Sequence, residues 1–123
     1  MRHAANAYGK VANQTVNQRE LEASLLLKAA SRLQAVHDRW DGKRDDLADA
    51  LLYNRRLWTI FMSSVTHDDN PLPRPIREGV ANLGLFVFRQ TLSLIADPRR
   101  EHLGSLVNIN RQVAAGLQGR IAG

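Results

Sequence analysis

The chain contains no cysteine, and this absence excludes several kinds of chemistry. Disulfides, thiolate nucleophiles and cysteine-ligated metals all require a residue type that the sequence lacks. The lack of disulfides fits a reducing compartment, and no apolar segment follows Met1-Arg2-His3 as it would in a secretory signal. We therefore expect a cytoplasmic protein.

Long apolar runs are also missing. The longest one, residues 80–88, is interrupted by Asn82. It is less than half of the roughly 20 residues that a membrane-spanning helix needs. We therefore expect no association with a membrane.

Recognisable catalytic and metal-binding motifs are equally scarce. The histidines do not pair with one another at the i+3 or i+4 spacing of helical metal sites. There is no glycine-rich phosphate loop and no serine in a nucleophile elbow. The sequence predicts a protein that is not an enzyme and that holds neither a cofactor nor a metal.

The net charge is positive, but the basic residues are not clustered. A formal net charge of +5 and a pI near 10.4 permit an acidic partner, either a protein or a nucleic acid. The lysines and arginines are scattered, however, with no long basic block. Direct nucleic-acid binding is therefore not favoured.

Apolar residues recur at helical spacing, with no strand alternation, and this predicts an all-α, single-domain bundle of 123 residues. The main helices are predicted at about 18–38, 45–67, 74–96 and 101–118. Residues 1–14 are predicted either as a short extra helix or as a frayed terminus. Asn17 with Glu20 has the spacing of a helix N-cap. The middle of the third helix is apolar nearly all round, which predicts that it is the buried centre of the bundle.

Two asparagines interrupt the apolar stripes. Asn54 and Trp58 lie four residues apart on the stripe of the second helix, and Asn110 lies in the stripe of the last helix. An unpaired buried polar group costs roughly 1–3 kcal/mol, so these side chains need partners. Either Asn54 and Asn110 bond to each other or to buried backbone as a structural polar core, or they line a groove and bind a partner's backbone.

Two arginines, Arg55 and Arg56, lie beside Trp58 and outside the stripe. An arginine in this position is commonly just solvated. Arginine and tryptophan together are nevertheless enriched at protein interfaces. They are candidates for contact with a partner.

The sequence also resembles a known family. Asn54-Arg55-Arg56-Leu57-Trp58, residues 19–23, and residues 108–111 followed by 115–117 are similar to segments of the FlaF family, in the same order. Ala7-Tyr8-Gly9 is similar too, so the resemblance covers about residues 7–117. It implies a regulator of flagellum assembly that binds flagellin as a secretion chaperone and works with the regulator FlbT.

The candidate contact residues are inferred from residue type alone, with groove walls expected on the first and second helices. They are Tyr8, Arg55, Arg56, Trp58 and Arg89. The expected partner is an amphipathic terminal segment of flagellin, and FlbT is a possible second partner. The alternatives are an RNA-binding regulator of flagellin messenger RNA and a structural partner subunit of FlbT.

Overall fold

The computed structural model describes residues 2–41 and 44–119, and it describes side-chain environments at 17–41 and 45–119. Its helices are α1 (Arg2–Asp38), α2 (Arg44–Thr66), α3 (Arg74–Ala96) and α4 (Leu103–Leu117), the last preceded by a 3-10 turn at Arg100–His102. No strand occurs in the described ranges. The predicted all-α fold is confirmed.

The first helix is longer than predicted. α1 is continuous from Arg2 to Asp38, and Asn17 lies in its interior. The predicted N-cap at Asn17 and the predicted start of a helix at residue 18 are therefore wrong. The physical reason is that residues 10–38 contain neither proline nor glycine, so nothing ends the helix between the two expected segments.

The starts of α2 and α3 follow the predicted signals. Asp45 and Asp46 occupy the first turn of α2, where the helix dipole favours acidic groups. Pro75 lies in the first turn of α3, where a missing backbone N–H costs nothing. Between these helices, Asn70 donates to the carbonyl oxygen of Ser64 (3.1 Å) and accepts from the amide of Leu72 (2.9 Å).

α1 packs along α4 and also against α2, while α3 packs mainly against α2. Arg100 Nε donates to the carbonyl oxygen of His37 (2.9 Å), which places the start of α4 beside the end of α1. Asn110 Nδ2 donates to the carbonyl oxygen of Leu26 (3.2 Å). These two bonds show that α4 runs antiparallel to α1. At the end of α1, hydrogen bonds with His37 and Gln34 lower the pKa of Asp38.

The third helix is not the centre of the bundle, which corrects the prediction. One stripe of α3 is buried, formed by Val80, Gly84, Val87, Thr91 and Leu94. Its exposed large apolar residues are Ile76, Leu83, Leu85, Phe86, Leu92 and Ile95. Among the described residues, α2 is the helix that packs along α3, and α4 touches α3 more lightly. The apolar residues around α3 therefore did not indicate that the chain itself buries every face of this helix.

α2 and α3 approach each other closely at Gly84. A Cβ atom placed at this position would overlap Met62 Sδ and would lie 2.8 Å from Met62 Cγ. By contrast, a Cβ placed at Gly79 of the same helix would meet nothing within 4 Å. The two glycines of α3 therefore differ, because only at Gly84 would an added methyl group displace a neighbouring side chain, that of Met62.

These glycines give a matched pair of substitutions. Gly79→Ala should raise the free energy of unfolding by roughly 0.5–1 kcal/mol, because alanine is the better helix former. Gly84→Ala gains the same propensity but forces Met62 to move, and overpacking of this kind costs about 1–3 kcal/mol. Urea denaturation should therefore rank Gly79→Ala above wild type and Gly84→Ala below it. Equal stabilisation by both changes would show that Met62 swings aside freely.

Candidate partner-binding surfaces

The Asn54, Trp58 and Asn110 side chains meet in the centre of the bundle, where each is 0% exposed. Trp58 Nε1 donates to Asn110 Oδ1 (2.9 Å), and Asn110 Nδ2 donates to Asn54 Oδ1 (2.7 Å). Asn110 Nδ2 also donates to the Leu26 carbonyl oxygen. The network thus links α1, α2 and α4 through one amide, and it sets how these helices align along their axes.

The direction of each bond follows from Trp58. An indole N–H can only donate, so it must face the oxygen of Asn110, and the Asn110 nitrogen must then face the oxygen of Asn54. The Asn54 nitrogen remains without a hydrogen-bond partner in the described structure. The oxygen and the nitrogen of the Asn110 side chain therefore both form hydrogen bonds, whereas the Asn54 side chain only accepts one.

The burial of Trp58 corrects its assignment as a candidate contact with a partner. Its ring is enclosed in the core and stands edge-on to Phe61, with ring centroids 5.6 Å apart and an interplanar angle of 75°. The residue type suggested an interface anchor, but the helical stripe directs the side chain inward. No partner reaches Trp58 without opening the bundle.

Arg55 and Arg56 are both exposed, and they belong to different surfaces. Successive residues of a helix are about 100° apart. Arg55 shares a stripe of α2 with Met62, seven residues later, which meets Gly84 of α3. Arg56 instead shares a stripe with Tyr53, whose ring lies beside α1. Arg55 and Arg56 therefore lie on two different sides of α2.

The α3 side carries the most regular apolar surface of the described structure. Ala81, Leu85, Phe88, Leu92 and Ile95 follow one another at alternating spacings of four and three residues. We refer to these five residues as the α3 strip. Its large aliphatic members are widely exposed, with 55% for Leu85, 60% for Leu92 and 57% for Ile95. This alternation is the spacing by which one helix packs against another in a coiled coil.

Two arginines border the α3 strip. Arg89 is exposed and lies about one helical turn from both Leu85 and Leu92. On the other side, α2 and α3 form an antiparallel hairpin with Met62 opposite Gly84. Arg55 lies seven residues before Met62, so it is level with the Phe88–Leu92 part of the strip. Arg55 and Arg89 make no ion pair in the described part of the chain.

Sequence reasoning missed the α3 strip because it assigned the groove walls to the first and second helices. The available signal was that α3 carries this four-three spacing twice, because the strip repeats the buried stripe one residue later, whereas a helix with one buried face has a single apolar stripe. Of the other candidates, the structure brings Arg55 and Arg89 to this surface. Tyr8 lies outside the residues whose side chains are described.

By length and composition, α3 also meets the criterion for a membrane-spanning helix, contrary to the sequence-based expectation. The most apolar stretch of 18 residues in α3 has a mean hydropathy of 1.3, and 28% of that stretch is buried in the described structure. However, Arg89 would lie inside the span, and a charge at the bilayer centre costs about 2.5–3.5 kcal/mol on insertion scales. One face of α3 is already packed against α2. These features favour a protein partner for the exposed face.

A comparison with protein-family models gives a match over most of the chain. The model described as "Flagellar protein FlaF" matches residues 4–117 of 123. The searches of curated proteins and of solved structures gave no match. Among the described residues, no group of three or more His, Asp or Glu side chains could hold a metal ion.

Proposed function

Because the chain belongs to the FlaF family of flagellar proteins and so takes part in flagellum biogenesis, we propose that it is a cytoplasmic secretion chaperone that binds flagellin. By holding flagellin before export, it controls flagellin synthesis and export. The observation that carries this proposal is the α3 strip, an apolar surface of coiled-coil spacing whose members Leu85, Leu92 and Ile95 are left more than half exposed in the described structure.

The chemistry of the strip fits an amphipathic helical segment. Its leucines and isoleucine offer knobs at the spacing by which a partner helix packs, in the helix-in-groove mode of recognition. Arg55 and Arg89 add positive charge at its two edges. A segment with an apolar stripe and acidic flanks would satisfy both features. The terminal segments of flagellin are amphipathic, and they supply such a stripe.

The expected affinity is moderate. Flagellin's terminal segments are disordered before assembly, so they lose conformational entropy when they order on the α3 strip. Ordering of this kind typically costs about 2–5 kcal/mol of the gross interaction energy. A chaperone must also release its cargo for export, and a moderate affinity serves that need.

The direct test is titration of purified monomeric flagellin into the protein by isothermal calorimetry. We expect a one-to-one complex with a negative heat-capacity change, because apolar surface is buried on binding. Peptides from the two ends of flagellin, titrated separately, should locate the bound segment. The control is flagellin lacking both terminal segments, which should give no heat. Binding of that truncated form, or no binding of the intact one, would contradict the proposal.

A further inference from the structure

A second surface, between α1 and α2, carries positive charge that the chain does not neutralise. Lys28 and Arg32 of α1 and Arg56 of α2 are exposed, and none of them forms an ion pair within the described residues. Unpaired cations also occur elsewhere in the described chain, as at Arg55, Arg89 and Arg111. This face differs because two of its cations lie against one aromatic ring.

Tyr53 holds two of these cations in place. The Arg32 guanidinium lies 4.3 Å from the centre of the Tyr53 ring, and the Lys28 ammonium lies 5.9 Å from it. In cation–π contacts of this kind, the electron-rich face of the ring attracts the cation. The two charges are thus positioned at the junction of α1 and α2 by a half-buried ring. Arg56 lies one helical turn beyond Tyr53 on the same stripe.

Two widely exposed apolar residues flank the end of this cluster that lies farther from the loop between α1 and α2. Ile60 of α2 is 70% exposed, and Leu21 of α1 is 53% exposed. Ile60 lies seven residues after Tyr53, and Leu21 lies seven residues before Lys28. Since α1 and α2 run antiparallel, both displacements are about 10 Å in the same direction. Leu21 and Ile60 therefore flank the same end of the basic cluster.

We propose that this α1–α2 surface binds an acidic amphipathic helix of a partner protein, separately from the α3 strip. Carboxylates of the partner meet Lys28, Arg32 and Arg56, and its apolar side chains meet Leu21 and Ile60. Charge complementarity identifies this class of occupant, because Tyr53 positions two cations beside Arg56 and none of the three forms an ion pair in the described structure. The surface is thus a second docking site, with a different chemistry from the first.

The same observations disfavour a nucleic acid. Bases stack on open aromatic faces, but Arg32 already occupies a face of the Tyr53 ring. Exposed Asp49 lies one turn before Tyr53 on the same stripe, where it would repel a phosphate backbone passing along α2. A helix, unlike a continuous phosphate backbone, can place an uncharged residue opposite Asp49. The exposed Ile60 has no role in phosphate binding.

The probe for this surface is a fluorescein-labelled synthetic helix about three heptads long, with a leucine seam and glutamates on both flanks. Its control replaces every glutamate by lysine. Binding is measured by fluorescence anisotropy on the full-length protein. We expect the glutamate peptide to bind and the lysine peptide to bind at least about tenfold more weakly, because like charges oppose each other across the surface.

Variants then locate the site. Arg56→Glu should weaken binding of the glutamate peptide by about tenfold, and Ile60→Gln should weaken it severalfold without a change in charge. Arg111→Glu is the matched control, since Arg111 is an exposed and unpaired cation of α4. It should change the affinity less than twofold.

Three results would overturn this second site. The first is equal binding of the two peptides, and the second is an equal loss with Arg56→Glu and Arg111→Glu. The third is tighter binding of a single-stranded RNA oligonucleotide whose affinity falls steeply with salt, which would make the surface a nucleic-acid site. Flagellin titration of Arg56→Glu separates the two proposals: unchanged flagellin binding supports two distinct sites, and loss of both ligands would show that they share one.

Discussion

Replacement of Asn110 by alanine is expected to destabilise the bundle by at least about 3 kcal/mol. The substitution removes the acceptor of the Trp58 indole and the donor to both Asn54 and the Leu26 carbonyl. Each buried group left unpaired costs roughly 1–3 kcal/mol, and the truncated side chain leaves a cavity in addition. One amide therefore carries more of the stability than its modest size would suggest.

Asn54→Ala should cost less, about 1–2 kcal/mol. Asn54 accepts a single bond, and its own nitrogen already lacks a partner. After its removal, the Asn110 nitrogen still donates to the Leu26 carbonyl. Guanidinium denaturation followed by tryptophan fluorescence and by circular dichroism gives both free energies of unfolding. Asn108→Ala, at an exposed position of the same helix, is the control and should change stability by less than about 0.5 kcal/mol.

The two asparagine variants also test the direction of the hydrogen bonds. If Asn54→Ala proved as costly as Asn110→Ala, Asn54 would have to make further bonds, and the chain of donation from Trp58 would be wrong. Trp58→Phe offers an independent check, because it leaves the Asn110 oxygen without its donor. Replacing both Trp58 and Asn110 by apolar residues should cost less than the sum of the single changes.

Much of this polar core could be anticipated from the sequence, and its detail could not. Helical spacing placed Asn54, Trp58 and Asn110 on inward stripes, and burial of a polar group requires a partner. Which atoms bond depends on how α2 and α4 are aligned across the bundle, and no local pattern records that alignment. The same stripe argument, applied to Trp58 alone, would have excluded it as a surface contact.

The third helix shows a different limit of prediction from sequence. Composition reports how apolar a helix is, but not whether its own chain or a partner covers each face. α3 was assigned to the centre of the bundle on composition, and the structure leaves Leu85, Leu92 and Ile95 exposed. Similarly, Arg55 and Arg56 are adjacent in sequence, which suggested one contact site. Because adjacent helical residues diverge by about 100°, they border two surfaces.

Replacing Leu85 and Leu92 together by glutamine is expected to abolish measurable flagellin binding while leaving the fold intact. Full burial of a leucine contributes about 1.5–3 kcal/mol, so loss of two such contacts should weaken affinity by roughly 100-fold or more. Both residues are more than half exposed in the free protein, so their replacement should barely alter its thermal unfolding. Calorimetry with flagellin and a melting curve for the variant measure the two effects separately.

Ile60→Gln is the matched control for this double variant, because it removes an even more exposed aliphatic side chain from the α1–α2 surface. It should leave flagellin binding unchanged. Arg89→Ala, at the edge of the α3 strip, should weaken binding only severalfold, since an exposed charge at an interface rim contributes little to affinity. If Ile60→Gln abolished binding and the leucine pair did not, flagellin would lie against α1 and α2, as the sequence first suggested. The α3 strip would then have to serve another partner.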